Sequence, residues 1–178
     1  VQRLVEKYID NFQKETGSEE MAVMLMNPKN GDIYAMASCP TYDLNNPRDL
    51  THMYKQEEID AMDEDTKMKA WMEMWGNYCI SAAYDPGSTF KPFTISAALE
   101  EGKAKDGDTY VCGGKKTVLD RSIKCSNNSG HGPLTLEEAL NKSCNVALMD
   151  IGLALGRKKF HKYNGIFGFG SKTGITLP

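Results

Sequence analysis

The chain has 178 residues, a net charge of −3 and a hydrophobic share of 40%, which suits one domain or a piece of one with a packed core. Its longest basic run is Arg157-Lys158-Lys159, which argues against a nucleic-acid partner. No apolar run approaches the roughly 18 residues of a membrane span, and no signal peptide opens the sequence.

In chain order, Leu4, Val5, Tyr8, Ile9 and Phe12 form a helical stripe over Val1 to Gln13, with Gly17 as its terminator. Met21 to Met26 and Ile33 to Ser38 are apolar runs of strand length. The turn-rich Asn27-Pro28-Lys29-Asn30-Gly31-Asp32 between them predicts a β-hairpin, and their near-continuous apolarity predicts cover on both faces. Pro40 stops the second strand. Arg48 to Trp75 is charged and Met-rich and reads as short surface helices, the methionines filling gaps. A helix is predicted from Ser88 to about Glu101, closed by Gly102, with Pro92 tightening its first turn. Lys103 to Gly132 reads as loop and short strand. Thr135-Leu136-Glu137-Glu138 is a capping box ahead of the apolar run Ala139 to Leu155, and a short helix follows from Phe160 to Phe167. Helices dominate, with one hairpin, so the class is α+β. A lone hairpin wants neighbouring strands, and both termini break off abruptly, so the chain is expected to be a single domain, 1–178, incomplete at both ends.

Two polar constellations interrupt the apolar pattern. In Tyr84-Asp85-Pro86-Gly87-Ser88-Thr89-Phe90-Lys91-Pro92-Phe93 a Pro-Gly turn delivers Ser88 to a helix start, with Lys91 three positions on and on the same face. A serine is a poor nucleophile until a base takes its proton, and a desolvated lysine is one such base. Alone, S-x-x-K occurs by chance in many proteins, and four residues favour the plainer reading, an N-capping serine followed by a solvent-facing lysine. Ser143-Cys144-Asn145 is a polar triplet inside the apolar run, either exposed by a break between helices or held for chemistry. The five cysteines (Cys39, Cys79, Cys112, Cys125, Cys144) include no C-x-x-C, and no H-x-x-x-H accompanies them, so no metal site and no cofactor are expected. Cys112 and Cys125 are read either as free thiols or as a bridge closing a short loop.

S-x-x-K followed by S-x-N matches the motif set of penicillin-binding proteins and class A β-lactamases. The sequence further resembles class B penicillin-binding protein transpeptidase domains. Asn27 to Ser38 with Pro40-Thr41-Tyr42-Asp43 is similar to their first hairpin, and Pro86 to Pro92 with Ala97-Ala98-Leu99-Glu100-Glu101-Gly102 to their nucleophile helix. His131-Gly132-Pro133-Leu134-Thr135-Leu136 leading to Asn141-Lys142-Ser143-Cys144-Asn145-Val146-Ala147 is similar to their second motif region. The resemblance implies a β-lactamase/transpeptidase-like fold, truncated so that most of the antiparallel sheet is missing. It implies a serine D,D-transpeptidase of peptidoglycan cross-linking, working on D-Ala-D-Ala stem peptides at the extracytoplasmic face of a bacterial membrane and acylated by β-lactams, with cell-wall synthesis proteins as partners. Ser88 would be the nucleophile, Lys91 its base, Ser143 the proton relay to the leaving amine, and Asn145 the substrate-binding amide that also holds Lys91. A D,D-carboxypeptidase, a class D-like β-lactamase, a β-lactam sensor and a non-catalytic scaffold can keep the same residues. Sporulation-type members resemble this chain in carrying cysteines near Cys112 and Cys125, which implies a redox-regulated role as an alternative.

Lys172-Thr173-Gly174 spells the family's third motif, but the stretch Phe167 to Pro178 instead resembles the Gly-rich turn after the second. The working third motif sits on a sheet strand, so the triplet is read as a decoy and the isolated chain as inactive.

Overall fold

The computed structural model describes residues 1–177 and divides into two compact units, Val1–Tyr84 and Asp85–Pro178. In the first unit, α1 (Gln2–Thr16) ends at Gly17, whose φ of 68° is the left-handed conformation that glycine adopts without cost. The strands β1 (Met21–Met26) and β2 (Ile33–Cys39) pair antiparallel, with an irregularity between Leu25 and Met26. Ile9 of α1 packs on Ala37 and Cys39, with Val5, Met21 and Val23 around it. Gln2 stitches the helix to the hairpin: its Nε2 donates to the Met36 carbonyl at 2.9 Å and its Oε1 accepts from the Met36 N–H at 2.9 Å.

Cover on both faces is not what the hairpin has. Ala35, Ala37 and Cys39 share one buried face, whereas Met24, Leu25, Met26, Ile33 and Tyr34 remain exposed. A pleated strand sends alternate side chains to opposite faces, so packing on one side buries only every second residue.

Farther along this unit lie α2 (Gln56–Ala61), α3 (Glu64–Trp75) and the single turn α4 (Tyr78–Ser81). The Met-rich segment has its own core of Leu50, Ala70 and Met74, flanked by Trp71 and Trp75. Both indole N–H groups donate to backbone carbonyls, Trp71 to Arg48 at 3.0 Å and Trp75 to Pro47 at 2.6 Å. None of the described helices is long and apolar enough to cross a membrane.

The second unit is built on α5 (Lys91–Glu100) packed against α7 (Asn145–Leu155). Ile95 and Ala98 of α5 meet Val146, Ala147, Leu148 and Ile151 of α7 in one core. Across the stretch read as loop and short strand, the strands pair as two antiparallel ribbons: β3 (Thr109–Cys112) with β6 (Gly132–Thr135), and β4 (Lys115–Val118) with β5 (Arg121–Lys124). The capping box is present, opening α6 (Leu136–Asn141). Gly156, with φ 78°, separates α7 from α8 (Arg157–Ile166). Five phenylalanines, Phe90, Phe93, Phe160, Phe167 and Phe169, stack from the start of α5 to the tail, with ring centroids 4.9–5.9 Å apart.

Candidate active site

Ser88 lies in a 3-10 turn, Gly87–Phe90, that runs straight into α5. Gly87 has φ 55°, a value that disfavours any residue with a Cβ. The Thr89 hydroxyl donates to the Pro86 carbonyl at 2.5 Å and closes the turn. Pro92 falls in the first turn of α5, where the N–H it lacks would have no helical partner. A 3-10 turn repeats every three residues, so Ser88 and Lys91 come onto one face.

The Ser143 triplet sits in a break, not within a continuous helix. The apolar run divides into α6 and α7 because Ser143 takes the left-handed conformation, φ 49°. That conformation costs a non-glycine residue on the order of 1–2 kcal/mol, and strain of this kind concentrates at functional sites. Cys144 then caps α7, its Sγ accepting from the Ala147 N–H at 3.5 Å.

Between these two turns the side chains converge. The Lys91 Nζ is 2.6 Å from the Ser143 carbonyl oxygen, 2.8 Å from Ser143 Oγ and 2.7 Å from Asn145 Oδ1. Ser143 Oγ is in turn 2.9 Å from Ser88 Oγ. The other end of the Asn145 amide donates to the Lys124 carbonyl at 3.0 Å, fixing the side chain against the end of β5. Ser88 is exposed, while Lys91, Ser143 and Asn145 are half-buried. Burial pushes the Lys91 ammonium below its ordinary pKa, against the opposing pull of Cys125 and Cys144. A lowered pKa enriches the neutral amine, the form that can accept a proton.

The four residues singled out in the sequence are thus brought together, with one difference in connectivity. Lys91 does not hydrogen-bond Ser88; Ser143 Oγ stands between them. The spacing of Ser88 and Lys91 carries no information on this, because Ser143 is contributed 55 residues later. Lys124 and the cysteine cluster behind the triplet have no sequence signal either, beyond a cysteine placed between Ser143 and Asn145. Lys172-Thr173-Gly174 lies in irregular backbone, not on a strand, and Pro178, which ends that stretch, is outside the described residues.

The family model described as the penicillin binding protein transpeptidase domain matches residues 21–178. The chain is 35% identical to Stage V sporulation protein D of Bacillus subtilis, over 99% of this chain and 25% of that protein. It is 33% identical to the peptidoglycan D,D-transpeptidase PbpA of Mycolicibacterium smegmatis, over 83% of this chain and 30% of that protein. Among solved structures, the D,D-transpeptidase domain of a peptidoglycan glycosyltransferase from Eggerthella lenta superimposes with a TM-score of 0.71. There the identity is 26%, covering 90% of this chain and 36% of that one. The chain therefore spans about a quarter to a third of the length of these curated relatives.

Proposed function

This chain belongs to the penicillin-binding protein transpeptidase family, and on that footing we propose that it carries the nucleophile half of a serine D,D-transpeptidase site acting in peptidoglycan cross-linking. Ser88 is the nucleophile, Lys91 its base, Ser143 the relay between them, and Asn145 the amide that holds Lys91 and receives the substrate. The single observation that carries this reading is the continuous path Lys91 Nζ, Ser143 Oγ, Ser88 Oγ, with steps of 2.8 and 2.9 Å.

The hydrogen-bond inventory of Lys91 supports the base role. An ammonium has three donors, and all three of its partners here can accept. A neutral amine keeps two N–H groups and gains a lone pair. Two of the partners, the Ser143 carbonyl and Asn145 Oδ1, only accept, and so they retain those two donors. The third, Ser143 Oγ, is a hydroxyl that can reverse and donate. Deprotonation of Lys91 therefore turns the chain around without leaving a polar atom unpaired: Ser88 O–H donates to Ser143 Oγ, and Ser143 O–H donates to Nζ.

Attack then proceeds as Ser88 Oγ bonds to the D-Ala-D-Ala carbonyl carbon, its proton passing to Ser143 Oγ while the Ser143 proton moves to Nζ. The Ser88 N–H stabilises the developing oxyanion. When the carbon–nitrogen bond breaks, the same path runs backwards and delivers the proton to the leaving amine. An acyl-Ser88 ester remains for an acceptor amine; a β-lactam forms the same ester through its ring amide. The reaction takes place at the extracytoplasmic face, where the cross-links form.

Lys172-Thr173-Gly174 takes no part in this scheme, and the isolated chain is expected to label poorly. The test is fluorescent-penicillin labelling of the full-length parent and of residues 1–178. The parent should label at Ser88 and lose labelling in Ser88→Ala and Lys91→Ala. An unchanged Ser88→Ala parent overturns the nucleophile assignment, and rapid stoichiometric labelling of the isolated chain overturns the reading of residues 172–174. Steady turnover of a chromogenic cephalosporin would mark a hydrolase instead.

A further inference from the structure

Behind the Ser143 turn lies a cluster that the reaction scheme does not use. Cys112 ends β3, Cys125 follows β5, His131 precedes β6 and Cys144 caps α7. Their three sulfurs and a ring nitrogen of His131 all lie within 4.8 Å of one another. The cysteines are 2%, 4% and 0% exposed, and none forms a disulfide. Cys125 Sγ is 3.8 Å from Cys144 Sγ and 3.5 Å from His131 Nδ1.

Those separations are informative. A tetrahedral zinc ion, with Zn–S near 2.3 Å and Zn–N near 2.0–2.1 Å, sets its ligands about 3.8 Å apart between sulfurs and about 3.5 Å from sulfur to nitrogen. A disulfide needs about 2.05 Å. Buried cysteine is common as a small apolar residue, which accounts for the exposure values but not for an imidazole nitrogen turned toward three sulfurs.

The backbone is shaped to hold this arrangement. A Cβ on Gly114 would stand 2.2 Å from the Asn128 carbonyl oxygen, and one on Gly130 would stand 2.3 Å from the Cys112 carbonyl oxygen. The loop leading to His131 thus lies directly on the backbone that follows Cys112, an approach only glycine permits. The Cys125 N–H donates to the Gly114 carbonyl at 2.8 Å, bringing the third ligand to the same place.

We propose that Cys112, Cys125, His131 and Cys144 bind one zinc ion in a closed tetrahedral site that pins the Ser143–Asn145 turn to the two ribbons. Four protein ligands leave no open position, which makes the site structural, not catalytic. Binding releases three thiol protons and leaves the ion with three thiolates and one neutral imidazole, a net charge of −1. The spacing of these residues hides the site, because the ligands come from four separate segments with no paired motif.

Metal content is read without reference to acylation, so this inference and the transpeptidase reading can fail separately. The chain is purified under a phosphine reductant, assayed for bound metal by mass spectrometry, stripped, and titrated with cobalt(II). One zinc per chain is expected. Cobalt should give a thiolate charge-transfer band and the intense visible bands of a tetrahedral ion, saturating at one equivalent. Cys112→Ser and Cys144→Ser should lose the metal, whereas Cys39→Ser and Cys79→Ser should keep it. Restoring zinc to the stripped chain should slow amide exchange at residues 143–147. If the ligand variants fail to fold, the cobalt spectrum of the unaltered chain still decides. A spectrum without tetrahedral bands, metal retained in Cys112→Ser, exchange at 143–147 unaffected by zinc, or a Cys112–Cys125 disulfide in metal-free protein isolated without reductant each overturns the proposal.

Discussion

Replacing Asn145 with alanine removes two bonds at once, and their sizes can be worked from the structure. The amide oxygen accepts from Lys91 Nζ at 2.7 Å, and the amide nitrogen donates to the Lys124 carbonyl at 3.0 Å. A hydrogen bond to a charged group contributes about 1.5–3 kcal/mol and a neutral one about 0.5–1.5 kcal/mol. Asn145 is half-buried, and Lys91 keeps both of its acceptors on Ser143, so the low end of the sum applies, about 2 kcal/mol. In a chain of this size that lowers the thermal midpoint by about 4–8 °C. Ser88→Ala is the control, because among the described residues its exposed hydroxyl meets only Ser143 Oγ, and its loss should stay within about 0.5 kcal/mol. Scanning calorimetry on both variants checks the reasoning. An Asn145→Ala midpoint within about 1 °C of the Ser88→Ala value would refute the claim that Asn145 ties Lys91 to β5.

Other expectations follow from single features. Ser143→Ala and Ser143→Gly both delete the relay hydroxyl, but only glycine takes φ 49° without strain, so the alanine variant should be the less stable by about 1 kcal/mol in urea unfolding. Ile151, 1% exposed on α7 in the core it shares with α5, should cost about 2–5 kcal/mol on truncation to alanine, read from the same unfolding curves. Glu101 is held down to about 2 by hydrogen bonds from Lys159, Lys162 and Tyr163 on α8. A depressed carboxyl pKa means that its stabilisation is complete above the ordinary value of 4.5 and is lost as pH falls toward about 2. Glu101→Gln should therefore flatten the midpoint–pH profile in that window, and an unaltered profile would discount the network.

Local order was legible wherever a short-range rule governs it. The Leu4–Phe12 stripe, the Asn27–Asp32 turn and the Thr135–Glu138 box each involve residues a few positions apart, and the helix, hairpin and helix start they predict are present. The exposed face of β2 was misread because apolarity reports what a residue tolerates, not what lies opposite it. Between Thr109 and Thr135 the sequence indicated short strand within loop but not the number, bounds or pairing of the four strands, because at four residues each they carry too little pattern.

The sequence alone determined which chemical groups this protein brings: a serine and a lysine one turn apart, a second serine and an amide in a polar triplet, and the family whose model they match. Only the tertiary structure decided how these groups connect. It placed Ser143 between Lys91 and Ser88, tied Asn145 to the Lys124 carbonyl, and drew three cysteines and a histidine from four segments to one point. The physical reason is range. Turn and helix preferences act over a few residues and are written into neighbouring side chains. A hydrogen bond or a set of metal ligands instead depends on where the packing of α5, α7 and the ribbons delivers groups that are remote along the chain.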